Sequence, residues 1–166
     1  MTYDGRSVAN FILDYCDERG YSATNLSLQK IVYFCHVWSL VKLDRPLVRH
    51  KFEAWKHGPV LQYLYREFSS LGDQPITKRA TQLDRFTGCS IIAQYEFNYE
   101  TEELLRSVID FYCRFPAWQL REISHVEGGP WDQVWKSGGN VNPGMKIEDD
   151  LIRGFYSNVR EPHLIQ

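Results

Sequence analysis

Two neighbouring side chains have the types needed for nucleophilic catalysis. Cys35 and His36 are adjacent in the sequence, and a thiol beside an imidazole could act as a nucleophile with its general base. Adjacent positions of a helix point about 100° apart, however, so the two groups cannot readily share one proton. Cys35 also falls on an apolar helical stripe, which predicts a buried and unreactive thiol. This pair therefore gives little support for an enzyme.

The other candidates for acid–base chemistry or metal binding are His57 and His125. His57 has no Ser, Cys or Asp close in sequence to act as its partner, so a structural place beside Gly58 and Pro59 is favoured. His125 lies with Glu127 beside a glycine loop, but zinc needs three or four ligands, and no second ligand cluster accompanies them. We expect no catalytic residue, no metal and no other cofactor.

Length and composition predict a single domain with a substantial core. The chain has 166 residues, of which 43% are hydrophobic and 14% aromatic. The net charge of −2 argues against nucleic acid as a partner, and the sequence lacks the run of about 18 apolar residues that a membrane span requires. The N-terminus has no secretory pattern, so a cytoplasmic location is expected. A reducing cytoplasm predicts four buried thiols rather than disulfides, at Cys16, Cys35, Cys89 and Cys113.

Apolar periodicity predicts a mainly α fold, a compact single-domain helical bundle around one central helix. That helix is expected at about Asn25 to Lys42, because apolar residues, Trp38 among them, cover most of its circumference. Its only basic residues are Lys30 and Lys42, which argues against DNA reading despite a helix-turn-helix-like spacing to the preceding helix. The other predicted helices are at about Ser7 to Arg19, Pro59 to Leu71, Glu102 to Cys113, Pro116 to Ser124 and Glu148 to Ser157.

Turn-forming residues mark the connections between these helices. Gly20 is expected as a left-handed helix cap, and Gly58 is expected to turn the chain into a helix that begins at Pro59. Weak alternation in Cys89 to Tyr99 leaves room for a short β-hairpin. The predicted limits are a domain at 1–158, a flexible loop at Ser137 to Pro143 and a loose tail at 159–166.

Two interpretations of the aromatic residues around Gly58 remain open. In the first, they form a partner surface, because Trp, Tyr and Arg are enriched at interface hot spots and a turn fixed by Gly and Pro is pre-organised. Tyr63 and Arg66 fall off the apolar stripe of the predicted helix and should therefore face solvent. In the second, the motif is architectural, with two tryptophans buried against each other. The predicted partner-binding residues are Trp55, His57, Tyr63, Arg66 and Trp131.

Three segments of the sequence together resemble one protein family. They are LSLQKIVYFCHVWSL, KFEAWKHGPVLQYLYREF and LREISHVEGGPW, in that order. The chain resembles the Panacea, or SocA-like, antitoxin domain of bacteria, phages and other mobile elements, over roughly Val8 to Tyr156. Ser124 stands where the family more often has Thr, and Thr77 to Asn98 cannot be placed. The residues of the family motif are Gln29, Lys30, Glu53, Gly58, Pro59, Val60, His125, Glu127 and Pro130.

This resemblance implies an antitoxin that neutralises a toxin encoded beside it by direct protein–protein contact. It implies no enzymatic residues, and it leaves the identity of the toxin and the oligomeric state open. Two alternatives also remain. The protein could be a proteolytic adaptor that delivers the toxin to an ATP-dependent protease, as one relative of similar domain does. It could also be an unrecognised hydrolase, which would need a pocket joining His57 or His125 to a nucleophile.

Overall fold

The computed structural model of the protein describes residues 1–137 and 143–158. The helices are α1 (Gly5–Arg19), α2 (Asn25–Lys42), α3 (Gln62–Phe68), α4 (Tyr99–Tyr112), α5 (Ala117–Ser124), α6 (Pro130–Ser137) and α7 (Asp149–Tyr156). The strands are β1 (Phe52–Trp55), β2 (Gly58–Val60), β3 (Thr81–Leu83), β4 (Ser90–Ile92) and β5 (Lys146–Ile147). The predicted mainly α, single-domain fold is confirmed.

The helix α2 lies at the centre of the molecule, as predicted. It begins where Thr24 and Ser27 cap each other: the Thr24 hydroxyl accepts from the Ser27 amide, and the Ser27 hydroxyl accepts from the Thr24 amide. Helices α1, α3, α4, α5 and α7 and strand β2 all contact α2. Trp38 is fully buried, and its indole nitrogen donates to the Tyr112 hydroxyl of α4 at 3.1 Å. Five of the outer helices therefore pack against one helix, whereas α6 packs on β1, β5 and α7.

The helix predicted to begin at Pro59 begins instead at Gln62. Gly58–Val60 forms β2, which pairs antiparallel with β1 in a three-stranded sheet of order β2-β1-β5. Gly58 has φ +116°, a conformation outside the helical region. Pro59 lacks a donor, which a short strand at the edge of a sheet tolerates. The Gly-Pro pair therefore shapes a hairpin and not a helix start.

A second hairpin stands apart from the central sheet. β4 lies within the predicted Cys89 to Tyr99 segment, but its partner is β3, which precedes that segment. Asn10 of α1 holds the base of this hairpin: its amide nitrogen donates to Ala80 O at 3.0 Å and Ala93 O at 2.8 Å, and its oxygen accepts from Ala80 N at 2.8 Å. The hairpin therefore has a fixed base, while its tip is exposed.

The remaining predictions have mixed outcomes. Gly20 has φ +75° and caps α1, as expected. All four cysteines are free thiols, but only Cys16 and Cys35 are buried; Cys113 is half-buried and Cys89, on the β3–β4 turn, is exposed, so the prediction of four buried thiols was wrong. No helix in the described ranges is long and apolar enough to cross a membrane. Most of the predicted loop at Ser137 to Pro143, and the tail at 159–166, lie outside the described residues.

We predict that Trp38→Ala lowers the free energy of unfolding by about 3–5 kcal/mol, because it empties a large buried site. The measurement is chemical denaturation followed by circular dichroism. Trp118→Ala is the matched control, since the Trp118 side chain is 66% exposed and its loss leaves no cavity. Equal unfolding midpoints for Trp38→Ala and the wild type would contradict a central role for α2.

Candidate functional site

Two residues of the family motif, Gly58 and Pro59, lie against a buried lysine of α2. Lys30 is fully buried, and its Nζ donates to the Pro59 carbonyl of β2 at 3.0 Å. It forms no ion pair with a carboxylate of the described residues. Burial, helped by the charge of Arg121, lowers the pKa of Lys30 to about 7. The amine therefore ties the hairpin to α2 and titrates near neutral pH.

Gly58 is required by the approach of the lysine side chain. A Cβ at this position would overlap Lys30 Cε, and it would lie 2.9 Å from Ser124 Oγ and 3.0 Å from Lys30 Nζ. The positive φ of Gly58 adds backbone strain for any other residue. The turn before Pro59 therefore has room only for glycine, because two other elements meet there.

Gln29, next to Lys30, holds the start of α3. Its side-chain oxygen accepts from the Leu61 amide at 3.0 Å, and its nitrogen donates to the Asn25 oxygen at 3.4 Å. The Asn25 amide nitrogen in turn donates to the Tyr65 carbonyl at 3.0 Å. Polar residues of an otherwise apolar helix thus fix β2 and α3 in place.

Trp131 of α6 binds the end of β1. Its indole nitrogen donates to the Trp55 carbonyl at 2.7 Å, and its ring stacks on His125 with the centroids 3.5 Å apart. Burial, together with the charges of Arg121, Lys30 and His57, lowers the pKa of His125 to about 4. Trp131 is buried, which favours the architectural interpretation, and its role as a partner-binding residue stays a prediction.

Three of the predicted partner-binding residues do lie at the surface. His57 and Arg66 are exposed, and Trp55 is half-buried. The Trp55 indole donates to Glu53 Oε2 at 2.8 Å. Its ring packs edge to face on that of Tyr65, with the ring centroids 5.2 Å apart. Of the other motif residues, Val60 and Pro130 are buried, whereas Glu127 is exposed.

Tyr63 is half-buried, whereas the prediction had it facing solvent. Its hydroxyl accepts from the Gly5 amide of α1 at 2.9 Å, and the Arg6 guanidinium lies over its ring at 5.5 Å. Burial raises its pKa to about 12. Tyr63 was predicted to face solvent because it falls off the apolar stripe of its own helix. The prediction was wrong because the N-terminus of α1 packs on this side of α3.

A cavity of about 430 Å³ opens beside Trp55. The sequence analysis did not single out several of its lining residues, among them Tyr65. The one available signal was the pair of amides, Asn25 and Gln29, on an apolar helix. The lining residues are Thr24, Asn25, Leu26, Gln29, Trp55, Lys56, His57, Val60, Tyr65, Gly72, Asp73 and Ala117.

The groups that could do chemistry are engaged elsewhere. His36 Nδ1 accepts from two backbone amides, those of Leu47 and Val48, so its Nε2 carries the proton and donates to Asp149 Oδ1 at 2.9 Å. Cys35 is fully buried, and burial raises its pKa. Residues 1–137 and 143–158 contain no cluster of three or more His, Cys, Asp and Glu that could hold a metal. A rigid hairpin beside an open cavity suits a helical protein that binds a partner.

Comparison with known proteins identifies the family. Residues 28–132 match the profile described as "Antitoxin SocA-like, Panacea domain". "Antitoxin SocA" of Caulobacter vibrioides (strain NA1000 / CB15N) is 40% identical over 154 residues, which cover 92% of this chain and 82% of that protein. No solved structure matches the chain. The chain belongs to the SocA-like Panacea antitoxin family, which confirms the predicted family and its antitoxin role.

We predict that Gly58→Ala lowers the free energy of unfolding by about 2–5 kcal/mol, from positive-φ strain and overlap with Lys30. Gly154→Ala is the matched control, because Gly154 lies in α7 and no atom is within 4 Å of its Cβ position. That control should gain up to about 1 kcal/mol. Thermal unfolding of both variants checks this, and similar stabilities for the two would contradict the close approach at Gly58.

We predict that Lys30→Met removes a pH dependence of stability. The folded-state pKa of Lys30 is about 7 and the unfolded value is 10.5, so between these pH values the unfolded chain binds the extra proton. Stability therefore rises with pH in this window, by at most about 1.4 kcal/mol per pH unit. Denaturation at pH 6.5 to 8.5 should show a smaller rise for Lys30→Met than for the wild type. Lys78→Met, an exposed control, should keep the wild-type profile; a parallel profile for Lys30→Met would contradict the prediction.

Proposed function

We propose that the protein neutralises its toxin by direct contact at the cavity beside Trp55. We call this surface the Trp55 face and define it by the cavity, by Trp55, His57 and Tyr65, which line it, and by the exposed Arg66 that follows Tyr65. The observation that carries the proposal is the cavity of about 430 Å³, one wall of which is formed by the rings of Trp55, at the end of β1, and Tyr65, on α3. Aromatic and arginine side chains are the usual anchors of protein interfaces.

The Trp55 face is held rigid from three sides. Lys30 binds the carbonyl of Pro59, Gln29 binds the amide of Leu61, and Trp131 binds the carbonyl of Trp55. A surface that is already ordered loses less conformational entropy when a partner binds. This rigidity supports the Trp55 face as the contact surface, with Trp131 as a buried support beneath it.

A non-enzymatic mechanism fits the same observations. The Ser124 hydroxyl, which is near Lys30, is buried and donates to the Arg121 carbonyl at 2.8 Å. A substrate would have to displace the hairpin to reach this hydroxyl, so the hydrolase alternative loses support. We place the protein in the cytoplasm, since four free thiols, including the exposed Cys89, suit a reducing compartment.

The proteolytic-adaptor alternative differs in what it requires. Both mechanisms need contact with the toxin, but an adaptor also needs an ATP-dependent protease to remove it. Direct neutralisation predicts that purified antitoxin inhibits purified toxin without a protease. It also predicts that rescue persists in cells that lack the protease.

We predict that the double variant His57→Ala, Arg66→Ala melts like the wild type, because both side chains are exposed, yet binds the toxin at least about 10-fold more weakly. The toxin is taken as the product of the neighbouring reading frame that arrests growth when expressed alone. Growth on co-expression and calorimetric affinity are the measurements. Arg85→Ala, at the exposed turn of the β3–β4 hairpin, is the control. Full rescue by the double variant would put the contact surface elsewhere.

A further inference from the structure

We propose that two copies of this chain associate through the exposed edge of β4. The β4 strand of each copy pairs antiparallel with β4 of the other about a two-fold axis at Ile91, so that the two hairpins form one continuous sheet. This inference does not rest on the Trp55 face. It assigns a separate surface of the molecule to a second copy of the same chain.

The hydrogen bonds of the hairpin show which main-chain groups of β4 point outward. The Ala93 amide donates to the Ala80 carbonyl at 3.0 Å, so these two residues form a hydrogen-bonded pair. Bonded and non-bonded pairs alternate along an antiparallel ladder. The next pair, Thr81 with Ile92, is therefore non-bonded, and so is the pair two residues further on, which contains Ser90. The main-chain groups of Ser90 and Ile92 thus point away from β3.

The two outer edges of the hairpin differ in how they are covered. On β3, the Thr81 amide donates to Glu67 Oε2 at 3.1 Å, and the Thr81 carbonyl accepts from Arg6 Nη1 at 3.4 Å. On β4, the Ile92 carbonyl accepts from the exposed Gln94 side chain at 3.1 Å, a bond that another strand can replace. Within the described residues, no side chain accepts from the Ile92 amide. The β4 edge is therefore open, whereas the β3 edge is covered at Thr81.

The β4 strand lacks the features that usually keep an exposed edge from pairing. Natural edge strands are protected by charged residues, proline, a bulge or a covering segment. The three residues of β4, Ser90–Ile92, are uncharged and include no proline. Their side chains are exposed, and those of Ile91 and Ile92 are apolar. Such a strand can accept a further strand.

The sequence of β4 is complementary to itself. A two-fold axis at Ile91 places Ser90 of each copy opposite Ile92 of the other, where the two residues exchange N–H···O=C bonds. The axis produces this exchange twice, as in other isologous interfaces. The two Ile91 side chains then face each other in a closely spaced non-bonded pair, which favours apolar residues. The outward groups of one copy therefore supply the partners that the other copy needs.

The charges at the ends of this interface also match. The same arrangement places Cys89 of one copy opposite Ala93 of the other, so each hairpin turn comes beside the segment that follows the other β4 strand. Arg85 lies in the turn and Glu96 in that segment; both are exposed, and neither forms an ion pair with a described residue. The two-fold axis brings opposite charges together at both ends. This complementarity favours a second copy over an unrelated extended peptide.

The other edge of the hairpin limits the association to two copies. After pairing, the outer edges of the joined sheet are the two β3 strands, each covered at Thr81 by Glu67 and Arg6. An isologous interface uses the same patch on both copies and closes on itself. The expected product is a dimer rather than a fibre. An extended segment of the toxin at the same edge is the competing occupant and is an outcome of the test.

The first test measures self-association of the purified full chain by sedimentation equilibrium. Ile91→Lys places two positive charges face to face at the axis. Gln82→Lys is the matched control, because Gln82 is paired with Ile91 inside the hairpin but lies on β3. Arg85→Glu and Glu96→Arg, separately and together, test the charges at the ends. Melting temperatures exclude misfolded variants.

We expect Ile91→Lys to raise the dimer dissociation constant at least about 10-fold and Gln82→Lys to change it less than about 2-fold. Each single charge reversal should weaken the dimer, and the Arg85→Glu, Glu96→Arg double variant should restore it, because the charges are then exchanged symmetrically. A dimer that is unaffected by Ile91→Lys would overturn the inference.

The second test is a cross-link at the axis. In a Cys89→Ser background, Ile91→Cys should form a disulfide between two copies, since the Cα atoms of a non-bonded antiparallel pair are about 4.5 Å apart, within the range of a disulfide. Gln82→Cys in the same background should not. Failure of Ile91→Cys to cross-link in a folded protein would contradict the arrangement.

The same measurements separate a second copy from the competing occupant. A wild type that stays monomeric up to about 1 mM overturns the inference. If Ile91→Lys then weakens binding of the growth-arresting product of the neighbouring frame, while Gln82→Lys does not, the β4 edge takes a strand from the toxin instead. The test of the Trp55 face is independent, because its variants lie outside the hairpin.

Discussion

The hydrogen bond from Lys30 to the Pro59 carbonyl is the constraint on which the rest of the structure depends. It joins the N-terminal half of the central helix to the edge strand of the sheet, in a buried region where no carboxylate of the described residues is paired with the amine. A buried amine without a hydrogen-bond acceptor would be strongly destabilising, so β2 must present its carbonyl at this point. The position of the hairpin, and with it the Trp55 face, follows from this requirement.

The residues of the family motif therefore come from distant parts of the chain and hold one another in place. Gly58 leaves room for the lysine, Gln29 holds the start of α3, and Trp131 closes on Trp55 from the opposite side. Each of these residue types suggests catalysis or recognition when it is considered alone. Together they explain how a small helical protein presents a rigid turn at its surface without a catalytic constellation among the described residues.

Predictions from the sequence were most accurate for features that depend on a local pattern of residues. The bounds of α2 followed from apolar periodicity, and the family from three motif segments. The start of α3 could not be predicted, because Gly-Pro suits a helix start and a hairpin equally well, and Lys30, far away in sequence, decides between them. The partial burial of Tyr63 depends in the same way on Gly5, and the cavity wall at Tyr65 depends on how α3 packs on α2. Contacts between distant segments have no local signal.

The clamp of Asn10 on the second hairpin has a consequence for how this protein can diversify. Asn10 binds only main-chain atoms, those of Ala80 and Ala93, so its grip does not depend on which side chains lie between them. Residues of the hairpin tip can change without loss of the hydrogen bonds that attach it to α1. We therefore expect that the tip of the hairpin can be exchanged for another loop, in evolution or by design, while the helical part of the protein stays unchanged.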